Sequence, residues 1–176
     1  MLKRIQATDL RVLHYIHKHM RNRACNIIMP LITMTGNFGI LWFISAAALF
    51  FVKQYRTVAY ATFWSLFFSA LFGNLIVKNL VKRRRPFDVE PGINTIISHP
   101  ADYSFPSGHT SSSFAAATAI FLFLPTIGIF AFVAAILISF SRIYLCVHFL
   151  SDVLTSVFLG TAIGIAVHFA LNMILF

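Results

Sequence analysis

The stretch that decides the fold is Tyr103–Ser141, YSFPSGHTSSSFAAATAIFLFLPTIGIFAFVAAILISFS, which holds no Lys, Arg, Asp or Glu. It opens as a loop, with Pro106 and Ser107 ahead of Gly108 and His109, and passes into an apolar run at Ser111-Ser112-Ser113-Phe114-Ala115. A helix beginning there presents unpaired N–H groups and the positive end of its dipole, a ready site for an anion. The titratable His109 would sit in its first turn. Alone, Pro-Ser-Gly-His is four residues and fits an ordinary capped turn equally well.

Two further runs, Thr57–Val77 and Val153–Phe176, are also free of charge. Uncharged apolar runs beyond about 18 residues are membrane-span candidates. The 176 residues are 59% hydrophobic and only 11% charged, about half the charged share of a soluble domain. These features predict an all-α, multi-pass helical bundle in the cell membrane, with about five spans and an N-terminal interfacial helix. Residues 1–23 alternate apolar positions (Leu2, Ile5, Leu10, Leu13, Ile16, Met20) with Lys3, Arg4, Arg11, Lys18, Arg21 and Arg23, as in a helix lying on a membrane surface. Residues 24–176 form the transmembrane domain. A short helix reaches Thr35 and a first span runs from about Phe38 to Val52. The second runs from Thr57 to about Leu80, continues as helix to Arg85 and stops at Pro86. The third is Ser107–Leu124, followed by a hairpin at Pro125–Gly128. The fourth is Ile129–Leu145, and the fifth opens at His148 and runs nearly to Phe176.

The net charge is +9, from 14 Lys and Arg against 5 Asp and Glu. On a soluble protein this would suggest nucleic acid. Here six of the cations lie in the first 23 residues and five in Lys78–Arg85, which fits membrane lipid head groups and makes nucleic acid an unexpected partner. Cys25 and Cys146 have no metal or redox spacing and read as packing residues. His14, His17 and His19 read as a solvated face. No metal and no cofactor are expected.

With this order of spans, the end of the second, the start of the third, the end of the fourth and the start of the fifth share one membrane face. Three clusters meet there. The first is Lys78-Asn79-Leu80-Val81-Lys82-Arg83-Arg84-Arg85-Pro86; on a continuous helix Lys78, Lys82 and Arg85 would share a face, while Arg83 and Arg84 read as membrane-flanking anchors. The second is Pro106–His109. In the third, Ser141–Asp152, Arg142 ends the long uncharged run and is costly at membrane depth unless it faces a polar cavity. His148 and Asp152 are four apart, so that a carboxylate can orient an imidazole.

The pattern Lys-x6-Arg-Pro, Pro-Ser-Gly-His and Ser-Arg-x5-His-x3-Asp resembles the type 2 phosphatidic acid phosphatase family, which includes bacterial undecaprenyl-diphosphate and phosphatidylglycerophosphate phosphatases, glucose-6-phosphatase and the vanadium haloperoxidases. All three motifs match in order and spacing, over about 25 positions; the six spans usual in the membrane members are reduced here to five plus the N-terminal helix. The resemblance implies an integral-membrane lipid phosphatase that removes a terminal phosphate from a lipid phosphate or diphosphate. It implies His148 as nucleophile, Asp152 holding its tautomer and His109 as acid and then base. Lys78, Arg85 and Arg142, with Ser107 and the Gly108 N–H, would hold the phosphoryl oxygens, without a metal and through a phosphohistidine.

Among substrates the small size leans towards a polyprenyl diphosphate such as undecaprenyl diphosphate, with phosphatidylglycerophosphate or phosphatidate as the alternative. A vanadate-dependent oxidase and a non-enzymatic anion-binding membrane protein are more distant readings. Sidedness divides two arguments: twelve of the fourteen cations lie on the motif-bearing side, which predicts a cytoplasmic site, whereas the resemblance implies an extracytoplasmic one. Asp88, Glu90, Asp102 and His99 lie in the loop over the site, either as gates or as solvated residues. His168 reads as a packed histidine, and Asn74 and Asn79 as interhelical hydrogen bonders.

Overall fold

The computed structural model describes residues 2–175, with side chains for residues 4–174; Lys3, one of the expected membrane anchors, has its side chain outside the described residues. The described chain is helical without strands: α1 (Leu2–Tyr15), α2 (Arg23–Thr35), α3 (Ile40–Phe51), α4 (Arg56–Ser69), α5 (Lys78–Val81), α6 (Pro86–Val89), α7 (Gly108–Phe123), α8 (Pro125–Tyr144) and α9 (Leu150–Leu175). Wider π-type turns over Ala70–Val77 join α4 to α5.

Local sequence accounts for the main breaks. Asn22 caps α2, its side chain accepting the Cys25 N–H at 2.9 Å. Between α2 and α3, Phe38 and Gly39 take φ of 51° and 71°, and the two helices meet at a 46° bend. Pro125, expected in a hairpin turn, instead opens α8 at its first helical position, where its missing N–H costs nothing. Leu124 alone separates it from α7.

Helix α7 is the centre of the bundle. It packs against α9, α8 and α4 and buries ten of its residues from Thr110 to Ile120. Gly160 and Gly164 of α9 lie against Ser111, Ala115 and Thr118 so closely that a methyl group at either would meet α7 backbone. Trp42 donates to the Ser113 hydroxyl at 2.9 Å and Ser69 to Ser111 at 3.0 Å, tying α3 and α4 to the same helix. The outside is apolar instead, with Phe38, Phe51, Phe130, Phe158 and Ile174 among its exposed side chains, as a lipid-facing surface requires.

Three helical stretches are long and apolar enough to cross a membrane, Lys53–Val89, Pro125–Tyr144 and Leu150–Ile174, and the bent α2–α3 pair makes a fourth. Helix α7, expected as a full span, has 16 residues and rises only about 24 Å. It is packed among α4, α8 and α9, and its first residues, Gly108 and His109, border a cavity.

Helix α1, continued by wider π-type turns over Ile16–Met20, covers the stretch expected to lie on a membrane surface. Leu13 and Ile16 are buried in a cluster with Ile93, Tyr144, Leu145, Val147 and Phe149, while Arg4, Arg11 and Lys18 stay exposed. The apolar side of its C-terminal half faces protein.

Candidate active site

A cavity of about 950 Å3 opens among α2–α5, α7, α8 and the loop before α7. Lys78, Arg85, Asp102, His109, Arg142 and His148 line one part of it, and Phe38, Phe43, Phe63, Leu66 and Phe67 another. The three sequence motifs, far apart in the chain, do meet at one place.

The first motif arrives by a different route from the one expected. The helix ends at Val81, Lys82 takes a left-handed conformation (φ 49°), and Arg85 is extended ahead of Pro86, as the residue before proline prefers. Lys82 therefore faces solvent and does not join Lys78 and Arg85. Those two are buried and converge on one carboxylate: Lys78 Nζ lies 2.5 Å from Asp102 Oδ2 and Arg85 Nη2 2.5 Å from Asp102 Oδ1. Arg85 also donates through Nε to the Asp102 carbonyl at 2.8 Å and through Nη1 to the Val147 carbonyl at 2.6 Å. Burial alone would push the Asp102 carboxyl up, but the Lys78 hydrogen bond and the charges of Lys78 and Arg85 outweigh it and bring it down to about 2.

The second motif starts α7. Gly108 borders the cavity, and a Cβ there would come within 2.5 Å of Asn74 Oδ1, so the Asn74 side chain would have to move to admit one. His109 is half-buried, its Nε2 2.9 Å from Asn37 Oδ1. Ser107 is fully buried beside the cavity and does not line it. Its N–H donates to Ser156 at 2.8 Å and its hydroxyl accepts from Thr110 at 3.1 Å.

The third motif is split between a helix end and a turn. Arg142, in the last turn of α8 and 4% exposed, donates through Nη1 to Thr33 at 2.6 Å, while its buried Nε has no partner among the described residues. The chain then turns through Cys146 (φ 57°), and the Val147 N–H donates to the Arg142 carbonyl. His148 therefore lies in the turn before α9 rather than on the helix. Its Nε2 faces Arg85 Nη1 at 3.4 Å, and its Nδ1 faces Asp152 Oδ2 at 3.6 Å, in ion-pair reach but longer than a hydrogen bond. Asp152 Oδ2 accepts from the Ser104 hydroxyl at 2.5 Å and the Phe149 N–H at 2.9 Å, the second being half of a capping box for α9.

Several partners were not legible in the motifs. Arg83, read as an anchor, instead pairs with Asp152 at 2.6 Å and with Asp9 at 2.8 Å; Arg84 is exposed, as expected of an anchor. Of the loop residues considered as gates, only Asp102 borders the cavity. Asp88 accepts the Arg85 N–H, Glu90 pairs with His14 at 3.1 Å, and His99 stacks on Phe87. His14 is exposed, as its solvated reading expects, and its partner Glu90 is an addition to that reading. The one signal in the sequence was Asp9, the sole acid before Asp88, set among six cations.

Two histidines and three cations line one cavity of an all-helical bundle whose long apolar helices suit a membrane. The chain belongs to the PAP2 superfamily, whose family model matches residues 58–174; this bears out the resemblance read from the three motifs. It is 29% identical over 125 residues to the undecaprenyl-diphosphatase of Sulfolobus acidocaldarius, covering 70% of this chain and 60% of that one. It is 30% identical over 153 residues to phosphatidylglycerophosphatase B of Bacillus subtilis, covering 78% of this chain and 64% of that one. The chain thus spans less than two thirds of the length of these relatives. The crystal structure described as the first transmembrane PAP2 type phosphatidylglycerolphosphate phosphatase, from Bacillus subtilis, superposes with a TM-score of 0.77 at 26% identity, covering 97% of this chain and 87% of that one.

Proposed function

We propose that this protein is a membrane lipid phosphatase that hydrolyses the terminal phosphate of a polyprenyl diphosphate through a phosphohistidine on His148. The observation that carries the reading is the two-part cavity. A head group in the Lys78–Arg85–Arg142 end leaves its chain beside Phe43, Phe63, Leu66 and Phe67, where an apolar tail is favoured. The names of the relatives supply the substrate classes.

In the proposed reaction His148 Nε2 attacks phosphorus, and the bond from phosphorus to the leaving oxygen breaks. His109 gives that oxygen a proton. A water then attacks the phosphohistidine, His109 takes its proton, and the P–N bond breaks to release inorganic phosphate. The orientation of His148 supports this: with Arg85 facing Nε2, the ring carries its proton on Nδ1, towards Asp152, and its lone pair points at the cations. Lys78, Arg85 and Arg142 spread the charge of the transferring group. The test is phosphate release by the purified chain in detergent from undecaprenyl diphosphate, phosphatidylglycerophosphate and phosphatidate. Fastest release from the first is expected. Faster release from either other lipid replaces the substrate, and release from none defeats the phosphatase reading.

Asp102 holds the cations in the position a phosphate would take. Because its carboxyl is depressed below the ordinary 3.8, the pairing is complete above that value and is lost only as pH falls through about 2. Asp102→Asn should therefore lower KM and the inhibition constant for orthovanadate by about threefold to tenfold. The gain should be level from pH 5 to 9. Kinetics across that range check it, and a higher KM would show that Asp102 orders the cations instead of competing with substrate.

A further inference from the structure

We propose that Asp9 and Arg83 are positioning residues for the reaction: a carboxylate on α1 and a guanidinium from the break after α5 fix Asp152 against His148. The proposal rests on the phosphatase reading above and extends it to the N-terminal helix, which none of the three motifs includes.

The contacts form one continuous chain. Asp9 is 2% exposed. Its Oδ2 accepts from Arg83 Nη2 at 2.8 Å and from the Ser151 hydroxyl at 2.5 Å, and its Oδ1 accepts from the Ser151 N–H at 2.9 Å. Arg83 Nη1 then donates to Asp152 Oδ1 at 2.6 Å and to the Ser151 hydroxyl at 2.8 Å. The guanidinium carbon sits 4.0 Å from the centre of the Phe149 ring, which fixes its plane. The Arg83 carbonyl accepts the Ser104 N–H at 2.8 Å, and Ser104 is the hydroxyl that holds the other oxygen of Asp152. Arg83 thus sets both sides of the carboxylate that faces His148.

The charges explain why a second carboxylate belongs there. Arg83 facing Asp152 alone would draw that carboxylate's charge away from the imidazole. Asp9 shares the guanidinium, so Asp152 keeps its negative potential towards His148 Nδ1, 3.6 Å away. A buried ion pair is by itself weak evidence for stability. This one touches the carboxylate that faces the proposed nucleophile, and the N-terminal segment is held over it by Leu13 of α1 and Ile16 just beyond it.

The test uses the full chain in detergent. Asp9→Asn and Arg83→Met should each lower kcat about 10- to 100-fold, the usual effect of losing a group that orients a functional side chain. KM and the Kd for orthovanadate should stay within about threefold of wild type. Arg11→Gln, on the exposed side of α1, should leave kcat unchanged. Because Asp9 acts through Arg83, adding D9N to R83M should cost less than D9N does alone. Additive losses, or a loss of vanadate-binding sites matching the loss of kcat, would overturn the proposal in favour of a purely structural role. Asp9→Glu keeps the charge and should recover part of the rate; no recovery counts against it. In [15N]histidine-labelled protein the His148 ring signals should move in D9N and R83M and stay in R11Q. Unmoved signals overturn the proposal. That measurement needs no substrate, so it decides the positioning role even if wild type releases phosphate from no lipid.

Discussion

Replacing His148 with alanine should lower phosphate release by about 10⁴-fold or more, the scale on which losing a covalent nucleophile acts. Asp102, the carboxylate on the cavity wall, is tied to Lys78 and Arg85. His109 is held by Asn37, and the remaining lining cations carry no lone pair while charged. The loss should not be one of folding. The His148 ring borders the cavity, so shortening it enlarges an existing space rather than opening a sealed void. The turn that carries it is fixed by backbone bonds to the Arg142 carbonyl and by the Phe149 N–H on Asp152. Phosphate release and thermal unfolding, measured together on H148A and on the bulkier His148→Gln, check both halves. Wild-type turnover in either variant removes His148 as nucleophile. A phosphorylated histidine trapped by acid quench in wild type and missing in H148A supports it directly.

The sequence showed the helical class, the membrane character and six of the residues that meet at the cavity: Lys78, Arg85, Gly108, His109, Arg142 and His148. Each belongs to a short motif whose chemistry is local. What it hid was set by tertiary contact. A helix through Lys78–Arg85 was the natural reading of the pattern, yet Pro86 forces Arg85 to be extended and Lys82 turns left-handed. Lys78 and Arg85 reach the same carboxylate only because that helix breaks. The same break aims Arg83 at Asp152. Asp102 lay in a loop with no periodicity to read, and its role depends on two cations distant in sequence. Helix α7 was read as a span from its composition, but its burial comes from neighbours that composition does not reveal. The apolar positions of α1 would serve either a membrane or a protein surface, and only Asp9 hinted at the second.

Arg142 should be nearly as sensitive as His148 to a change that keeps its charge. Arg142→Lys is expected to lower kcat/KM by about 10²- to 10³-fold, the usual effect of removing a donor that stabilises developing charge. The guanidinium is divided between two tasks. Nη1 is committed to Thr33 at 2.6 Å, which fixes the plane of the group, and the buried Nε lacks a partner among the described residues. A phosphoryl oxygen can complete that fork. Lysine offers one ammonium on a flexible stem and cannot hold Thr33 and present a second donor in a fixed plane. The loss should appear in orthovanadate affinity as well as in rate, because both ligands use the same oxygens. Thr33→Val leaves the charge and removes the tie. It should produce a smaller loss, about tenfold, if the tie's role is to aim the fork. Measuring kcat/KM and orthovanadate inhibition for R142K and T33V separates the two tasks: wild-type values in R142K would make Arg142 an anchor of α8 to α2, and unchanged values in T33V alone would leave the fork intact but self-oriented.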